Sequence, residues 1–139
     1  MRSLFFHCKK FESVITGLST RPNGIIHGEV SDKQQFLENC ILVFLTIEKN
    51  DNETLTSELV QEIIKFCRET GHENVFLCPF AHLSNNLADS ATALGLIKIV
   101  NESLQTQNVN TMEGHFGSDK ELLIHLYGHP GNARYREYI

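Results

Sequence analysis

Apolar side chains recur at helical spacing in two segments of the chain. The first stripe predicts an amphipathic helix over about residues 53–70. Its members are Leu55, Leu59, Ile63 and Phe66. Asp51 and Asn52 supply N-cap chemistry before this helix, and Gly71 stands where a glycine commonly ends one. A second helix is predicted after a cap at Asp89 or Ser90, with the stripe Ala93, Leu94, Ile97, Val100 and Leu104.

Short strand-like runs surround the two helices. The predicted strands are Arg2–Cys8, Phe11–Thr16, Ile25–Val30, Cys40–Ile47, Asn74–Cys78, Asn108–Met112 and Glu121–Tyr127. Cys40–Ile47 is rich in β-branched and aromatic residues, which indicates a buried central strand, whereas residues 31–39 are polar and carry no clear signal. This order predicts an α/β fold, a mixed β-sheet with two packed helices, and the absence of a linker or repeat predicts one domain over residues 1–139.

Composition narrows the class of protein. The 139 residues are 41% hydrophobic and 21% charged, with 12 basic and 17 acidic side chains and a net charge of -5. This balance disfavours binding nucleic acid by bulk electrostatics, although a catalytic site that touches one end of a nucleic acid is compatible with it. The longest apolar run, Ile41–Ile47, is too short to span a membrane. Four cysteines without a CxxC pair indicate reduced, mostly buried thiols and a cytoplasmic location.

Familiar catalytic and metal signatures are weak. The seven histidines include no metal-binding pattern, and His125 and His129 are separated by helix-breaking neighbours, so no metal or other cofactor is expected. Cys78 near His82 suggests a thiol nucleophile, but its place in an apolar strand favours a core residue. Ser84 near His82 lacks a nucleophile elbow, and a turn or helix cap is the better interpretation.

Two local clusters remain as candidate ligand sites. Residues 78–86 follow a predicted inner strand and lead toward a helix, the place where α/β sheets bind ligands. Residues 114–120 combine two glycines, an aromatic ring, an acid and a lysine, and Gly117 allows a close backbone approach to a ligand. The alternative for the second cluster is a hairpin with solvated charges.

These clusters also carry a resemblance. The segment NVFLCPFAHLS at residues 74–84, with Leu87-Ala88, resembles the core motif of the N-terminal editing domain of archaeal-type threonyl-tRNA synthetase. Phe116-Gly117-x-x-Lys120 and Gly128-His129-Pro130 match the FGxxK and GHP motifs of that family, in the same order, and residues 44–49 resemble its strand end. The resemblance covers most of the chain and is strongest over residues 74–130.

The resemblance implies a D-aminoacyl-tRNA deacylase-like fold in a single editing domain, generally dimeric. It also implies an aminoacyl-tRNA editing hydrolase, which removes L-serine wrongly attached to tRNA(Thr) and so proofreads for threonyl-tRNA synthetase. The implied partners are the terminal adenosine of the tRNA and the remainder of the synthetase, in cis or in trans. The alternatives are a non-catalytic dimerisation or docking domain and a D-aminoacyl-tRNA deacylase.

The resemblance also assigns roles to residues. Lys120 is the expected catalytic cation, and His82 is expected to hydrogen-bond the seryl group or the ribose. The candidate substrate-binding residues are Phe80, Ala81, Ile47, Phe116, Gly117 and Asp119. Two positions depart from the family pattern: Asp119 replaces a tyrosine beside the lysine, and Ala133 aligns with a glutamate. We therefore expect Asp119 to replace that carboxylate as a partner of Lys120.

Overall fold

The computed structural model describes all residues, 1–139, and consists of six strands and two helices. The elements in chain order are β1 (Arg2–Leu18), β2 (Gln34–Thr46), α1 (Glu53–Thr70), β3 (Asn74–Pro79), α2 (Ser90–Thr106), β4 (Asn110–Glu113), β5 (Ser118–Leu126) and β6 (Ala133–Glu137). All six strands belong to one sheet, in the order β4-β3-β2-β1-β5, with β6 also paired to β1. The predicted mixed α/β architecture is therefore confirmed.

Strand β1 is a single strand of 17 residues and not the two separate strands, Arg2–Cys8 and Phe11–Thr16, that the sequence predicts. The adjacent charges Lys9 and Lys10 resemble a turn, but they are exposed residues within the strand. The pairing of β1 with β5 shifts register between Cys8 and Lys10, as in a β-bulge. A bulge interrupts the inward–outward alternation without ending a strand, which explains the wrong prediction.

The edges of the sheet differ most from the sequence-based expectation. Residues 25–30, predicted as a strand, lie in no helix or strand, because they belong to the long connection between β1 and β2. Strand β6 was not predicted, since its alternation places charged side chains where apolar ones would mark a strand. It pairs antiparallel with the first residues of β1, from Arg2 opposite Glu137 to Phe6 opposite Ala133.

The centre of the sheet is buried on both faces. Along β2, Ile41, Val43 and Leu45 belong to the larger hydrophobic core, together with residues of α1 and α2. The alternate residues Leu42 and Phe44 pack in a second core on the opposite face. A strand with two buried faces reads as a continuous apolar run, so the prediction of a buried central strand is confirmed.

Both helices begin where the sequence predicts. The Asn52 side chain accepts a hydrogen bond of 3.2 Å from the backbone N–H of Leu55, and Gly71 ends α1 with a left-handed φ of 73°. The Asp89 side chain accepts from the N–H of Thr92 at 2.9 Å and caps α2. Neither helix is long and apolar enough to span a bilayer.

Candidate functional site

A cavity of about 640 Å³ lies at the carboxyl ends of β2 and β3. Its wall is completed by the loop between β4 and β5 and by part of the connection between β1 and β2. The structure places all eight candidate residues in this one wall: Ile47, Phe80, Ala81, His82, Phe116, Gly117, Asp119 and Lys120. Residues that are separated by up to 73 positions in the chain therefore meet at one concave surface.

The segment after β3 is held against the end of β2. The backbone N–H of Phe80 donates to the Leu45 carbonyl at 3.0 Å, and the Thr46 hydroxyl donates to the Phe80 carbonyl. The Phe80 ring lies 4.5 Å from the ring of Phe44 and 4.9 Å from that of His82. His82 is exposed, and neither of its ring nitrogens has a hydrogen-bond partner within the chain. Its imidazole is therefore positioned by packing and is free to bond a ligand.

The carboxylate of Glu48 anchors the same segment from the other side. The Ser84 hydroxyl donates to Glu48 Oε2 at 2.5 Å, and Arg2 Nε donates to that oxygen at 3.2 Å. Burial by itself raises the pKa of the Glu48 carboxyl, but the bond from Ser84 and the charges of the amino terminus and Arg2 outweigh it and lower the pKa. Ser84 also accepts from the Asn86 N–H at 3.0 Å, which confirms its interpretation as a turn cap.

The loop that carries Phe116 and Gly117 lies beneath the connection between β1 and β2, residues 19–33, which we call the strap. The Gly28 N–H donates to the Phe116 carbonyl at 2.9 Å, and the Ser19 N–H donates to the Gly117 carbonyl at 2.9 Å. Gly117 has a φ of 87°, and a Cβ at this position would lie 2.8 Å from the carbonyl oxygen of Ile26. Only glycine satisfies both constraints, so Gly117 permits the close approach of strap and loop.

His115 joins the strap to the lysine-bearing strand. Its Nε2 lies 2.8 Å from the carbonyl oxygen of Gly28, and its Nδ1 lies 2.7 Å from the hydroxyl of Ser118. A carbonyl only accepts, so Nε2 carries the proton and Nδ1 of the neutral ring accepts from Ser118. The ring is only 7% exposed. The sequence shows this histidine within a candidate loop but not its bridging position.

Lys120 provides the only half-buried ammonium group in the cavity wall. Its Nζ donates to the Ser118 carbonyl at 3.1 Å, which leaves its other N–H groups available. Burial lowers the pKa of Lys120, while the nearby Cys78 and Asp119 oppose this effect. Burial also raises the pKa of the Cys78 thiol to about 11, which supports its interpretation as a core residue. All four cysteines are unpaired and buried, as the sequence predicts.

Asp119 does not replace the missing glutamate through an ion pair. Its carboxylate accepts from the Ser19 hydroxyl at 3.3 Å and forms no salt bridge with Lys120. Ala133 lies on β6 opposite Phe6 and is not part of the cavity wall. No three histidine, cysteine, aspartate or glutamate side chains are placed so that they could hold a metal ion.

Sequence reasoning missed the contribution of the strap to the cavity. Five of its residues line the wall: Ser19, Thr20, Arg21, Pro22 and Ile25. The only local signal is the turn motif Asn23-Gly24, which marks a loop but not its position. Arg21 is consequently a second cation at the site that no motif indicates.

The fold and the cavity define an α/β protein with a candidate ligand site at the carboxyl ends of neighbouring parallel strands. Residues 1–137 match the family described as the archaea-specific editing domain of threonyl-tRNA synthetase. The chain therefore belongs to this family, as its motifs predict. The description of the family is that of an editing domain.

Individual relatives agree with this assignment. The chain is 30% identical over 132 residues to a threonine–tRNA ligase of Staphylothermus marinus. The aligned segment is 94% of this chain and 21% of that ligase. The chain is 32% identical over 133 residues to that of Pyrococcus horikoshii, with the same coverage. A threonine–tRNA ligase editing subunit of Saccharolobus solfataricus is 34% identical over 94 residues, 68% of this chain and 24% of the subunit. The chain thus spans about a fifth to a quarter of these proteins.

One solved structure shows the fold independently of sequence. The c-Myc DNA Unwinding Element Binding Protein superimposes with a TM-score of 0.73 at 14% identity, covering 100% of this chain and 99% of that one. The two chains therefore share one fold over their whole length, in agreement with the α/β fold that the motifs imply.

Proposed function

We propose that the cavity hydrolyses the ester of L-seryl-tRNA(Thr), releasing serine and tRNA(Thr). The observation that carries this proposal is that Lys120, a half-buried cation, and His82, an imidazole without internal partners, line one cavity. The ester is already activated, so hydrolysis requires a positioned water and stabilisation of the developing oxyanion but no covalent nucleophile. Family membership supports the same chemistry.

The task fits the physics of serine and threonine. Threonine carries one methyl group more than serine. The aminoacylation site of a synthetase can use this group to discriminate against serine by only about 1–3 kcal/mol. A second pocket that is too small for the methyl group admits serine alone. Phe80 and Ala81 line the cavity next to His82 and are the residues that we propose to exclude the methyl group.

In the proposed mechanism Lys120 donates to the tetrahedral oxyanion or to the attacking water. Burial removes competing solvent from around the ammonium group, so each of its hydrogen bonds gains strength. His82 bonds the seryl group or the ribose, and the ribose 2′-hydroxyl assists the water. Ile47 and Phe116 pack against the adenine, where stacking contributes about 1–3 kcal/mol. Gly117 and Asp119 border the substrate on the strap side.

A deacylation assay tests this function against its alternatives. Wild-type protein and Lys120→Met are incubated with Ser-tRNA(Thr), Thr-tRNA(Thr) and a D-aminoacyl-tRNA. We expect hydrolysis of the seryl ester alone and a loss of at least about a hundredfold in Lys120→Met. Lys65→Met, an exposed lysine of α1 outside the cavity, is the matched control and should retain activity.

Each other outcome contradicts the proposal in a distinct way. Hydrolysis of the D-aminoacyl ester with the L-seryl ester spared identifies a D-aminoacyl-tRNA deacylase. Absence of hydrolysis with all substrates identifies a non-catalytic docking or dimerisation domain. Retention of activity in Lys120→Met removes the lysine from the mechanism.

We further propose that residues 1–139 act as one editing domain in the cytoplasm, together with the remainder of a threonyl-tRNA synthetase in cis or in trans.

A homodimer is part of this proposal. Its support is the exposed apolar run Leu122, Leu123 and Ile124 on the edge strand β5, since exposed apolar patches mark interaction surfaces. Sedimentation equilibrium of the wild type and of Leu123→Lys tests the dimer; a monomeric wild type contradicts it.

A further inference from the structure

We infer that Arg21 binds the 5′-phosphate of the terminal nucleotide and thereby holds the tRNA end in the cavity. The inference rests on the proposed function and identifies a phosphate-binding residue outside the family motifs. Its observations are the position of Arg21 in the cavity wall, its lack of a carboxylate partner and the anchoring of the strap.

The two basic side chains of the cavity wall differ in burial. Lys120 is half-buried and donates to the Ser118 carbonyl on β5, whereas Arg21 is exposed on the strap. Neither belongs to a salt bridge within the chain. A half-buried cation suits an oxyanion that develops transiently, while an exposed guanidinium suits a permanently charged, solvated phosphate diester. In this inference Lys120 therefore serves the ester, and Arg21 serves the phosphate of the same nucleotide.

The strap is anchored by hydrogen bonds on both sides of Arg21. On its amino-terminal side, the Ser19 N–H donates to the Gly117 carbonyl at 2.9 Å and the Ser19 hydroxyl donates to Asp119 Oδ1 at 3.3 Å. On its carboxyl-terminal side, the Ile26 N–H donates to the Ser90 hydroxyl at 3.1 Å, at the start of α2. Anchors on both sides reduce the conformational entropy that the strap would lose on binding.

The net charge of the chain increases the importance of such a local contact. With 17 acidic and 12 basic residues, the chain has no general attraction for a polyanion. A cation in the wall of the same cavity instead provides attraction at the one nucleotide that must be positioned. Arg21 contributes mainly to binding and only weakly to the chemical step, because the phosphate does not change charge during hydrolysis.

The test compares two small substrates that differ only in the phosphate. They are adenosine and adenosine 5′-monophosphate, each with a seryl ester on the ribose, and the proteins are the wild type, Arg21→Gln and Arg21→Lys. We expect a KM about tenfold lower for the phosphorylated substrate with the wild type, equal KM values with Arg21→Gln, and partial recovery with Arg21→Lys. We expect kcat to stay unchanged in all three proteins.

Arg68→Gln provides the matched control, because Arg68 is an exposed arginine of α1 without an ion pair and outside the cavity. It should preserve the preference for the phosphorylated substrate. If Arg21→Gln raises KM equally for both substrates, or for neither, the inference is wrong.

Binding without turnover separates this inference from the proposed function. Titration calorimetry compares adenosine 5′-monophosphate with adenosine, using the wild type and Arg21→Gln. Tighter binding of the nucleotide that is lost in Arg21→Gln supports the phosphate site even if no ester is hydrolysed. Equal binding of nucleotide and nucleoside to the wild type overturns it even if the wild type deacylates Ser-tRNA(Thr).

Discussion

The Nδ1 atom of His7 lies 2.7 Å from the Nε2 atom of His129, and the Nε2 atom of His7 lies 2.8 Å from the Nδ1 atom of His72. His129 Nδ1 also lies 2.8 Å from the carbonyl oxygen of Pro130 and must therefore carry a proton. In the neutral state His7 then donates to His129 and accepts from His72. A proton added to His7 would face the N–H of His72. The hydrogen bonds among the three histidine rings therefore favour the neutral form of His7.

This relationship predicts a loss of stability in mild acid. Burial, followed by the charges of His72 and His129, lowers the pKa of His7 from 6.5 to about 4. The unfolded chain binds this proton more readily, so the stabilisation is complete above pH 6.5 and decreases as the pH falls toward 4, by at most about 3 kcal/mol. Urea unfolding between pH 7.5 and 5 measures it. His7→Gln should flatten this dependence and His125→Gln, an exposed histidine, should not; identical slopes in all three proteins contradict the assignment.

The lowered pKa of Lys120 predicts the shape of the pH–rate profile. If the ammonium form stabilises the oxyanion, kcat must decrease as the pH rises through the pKa of Lys120. Because burial lowers that pKa from its ordinary 10.5, the decrease begins at a lower pH than for a solvated lysine. The measurement is single-turnover deacylation of Ser-tRNA(Thr), corrected for spontaneous hydrolysis. A rate that only rises with pH would instead assign Lys120 the role of a general base.

Asp119→Asn tests whether the carboxylate is a direct partner of Lys120. The Asp119 charge raises the pKa of Lys120 without an ion pair, so its removal should move the alkaline decrease in kcat to lower pH. On the plateau, kcat should stay within about fivefold of the wild type, because exposed charges without close contact interact weakly. A loss of more than tenfold on the plateau would show that Asp119 takes part in catalysis despite this geometry.

Gly117→Ala tests the contact between the strap and the loop. The added Cβ would lie 2.8 Å from the Ile26 carbonyl oxygen at a φ of 87°, so we expect a destabilisation of about 1–3 kcal/mol and a reduced kcat/KM as the strap moves away. Gly95→Ala, within α2 and with no atom closer than 4 Å to the added Cβ, is the control. It should be neutral or stabilising. Equal effects of both substitutions on unfolding would refute the close approach.

The elements that the sequence predicts correctly are those whose bounds depend on neighbouring residues. The bounds of α1 follow from Asn52 and Gly71, whose capping roles require only neighbouring residues. The nature of β1 could not be predicted in the same way, because the bulge near Lys9 exists only through its pairing with β5. The strap is another case, since its bonds go to Phe116 and Gly117, far along the chain.

The same distinction applies to the site. Short motifs mark His82 and Lys120, and the structure brings both to one cavity. No motif marks Arg21, whose position depends on how the strap crosses the loop at Gly117. The contacts of His7 with His72 and His129 are equally invisible, because they join residues 65 and 122 positions apart.

Strand β1 pairs with β2 on one side and with both β5 and β6 on the other. Its first residues, Arg2–Phe6, meet the segment Ala133–Glu137, which the ribosome synthesises more than a hundred residues later. Such distant pairings slow folding, because the intervening chain must first be brought together. During translation the pairing of β1 with β6 therefore forms only after nearly the whole segment has emerged, and until then this edge of β1 is an exposed template for aggregation.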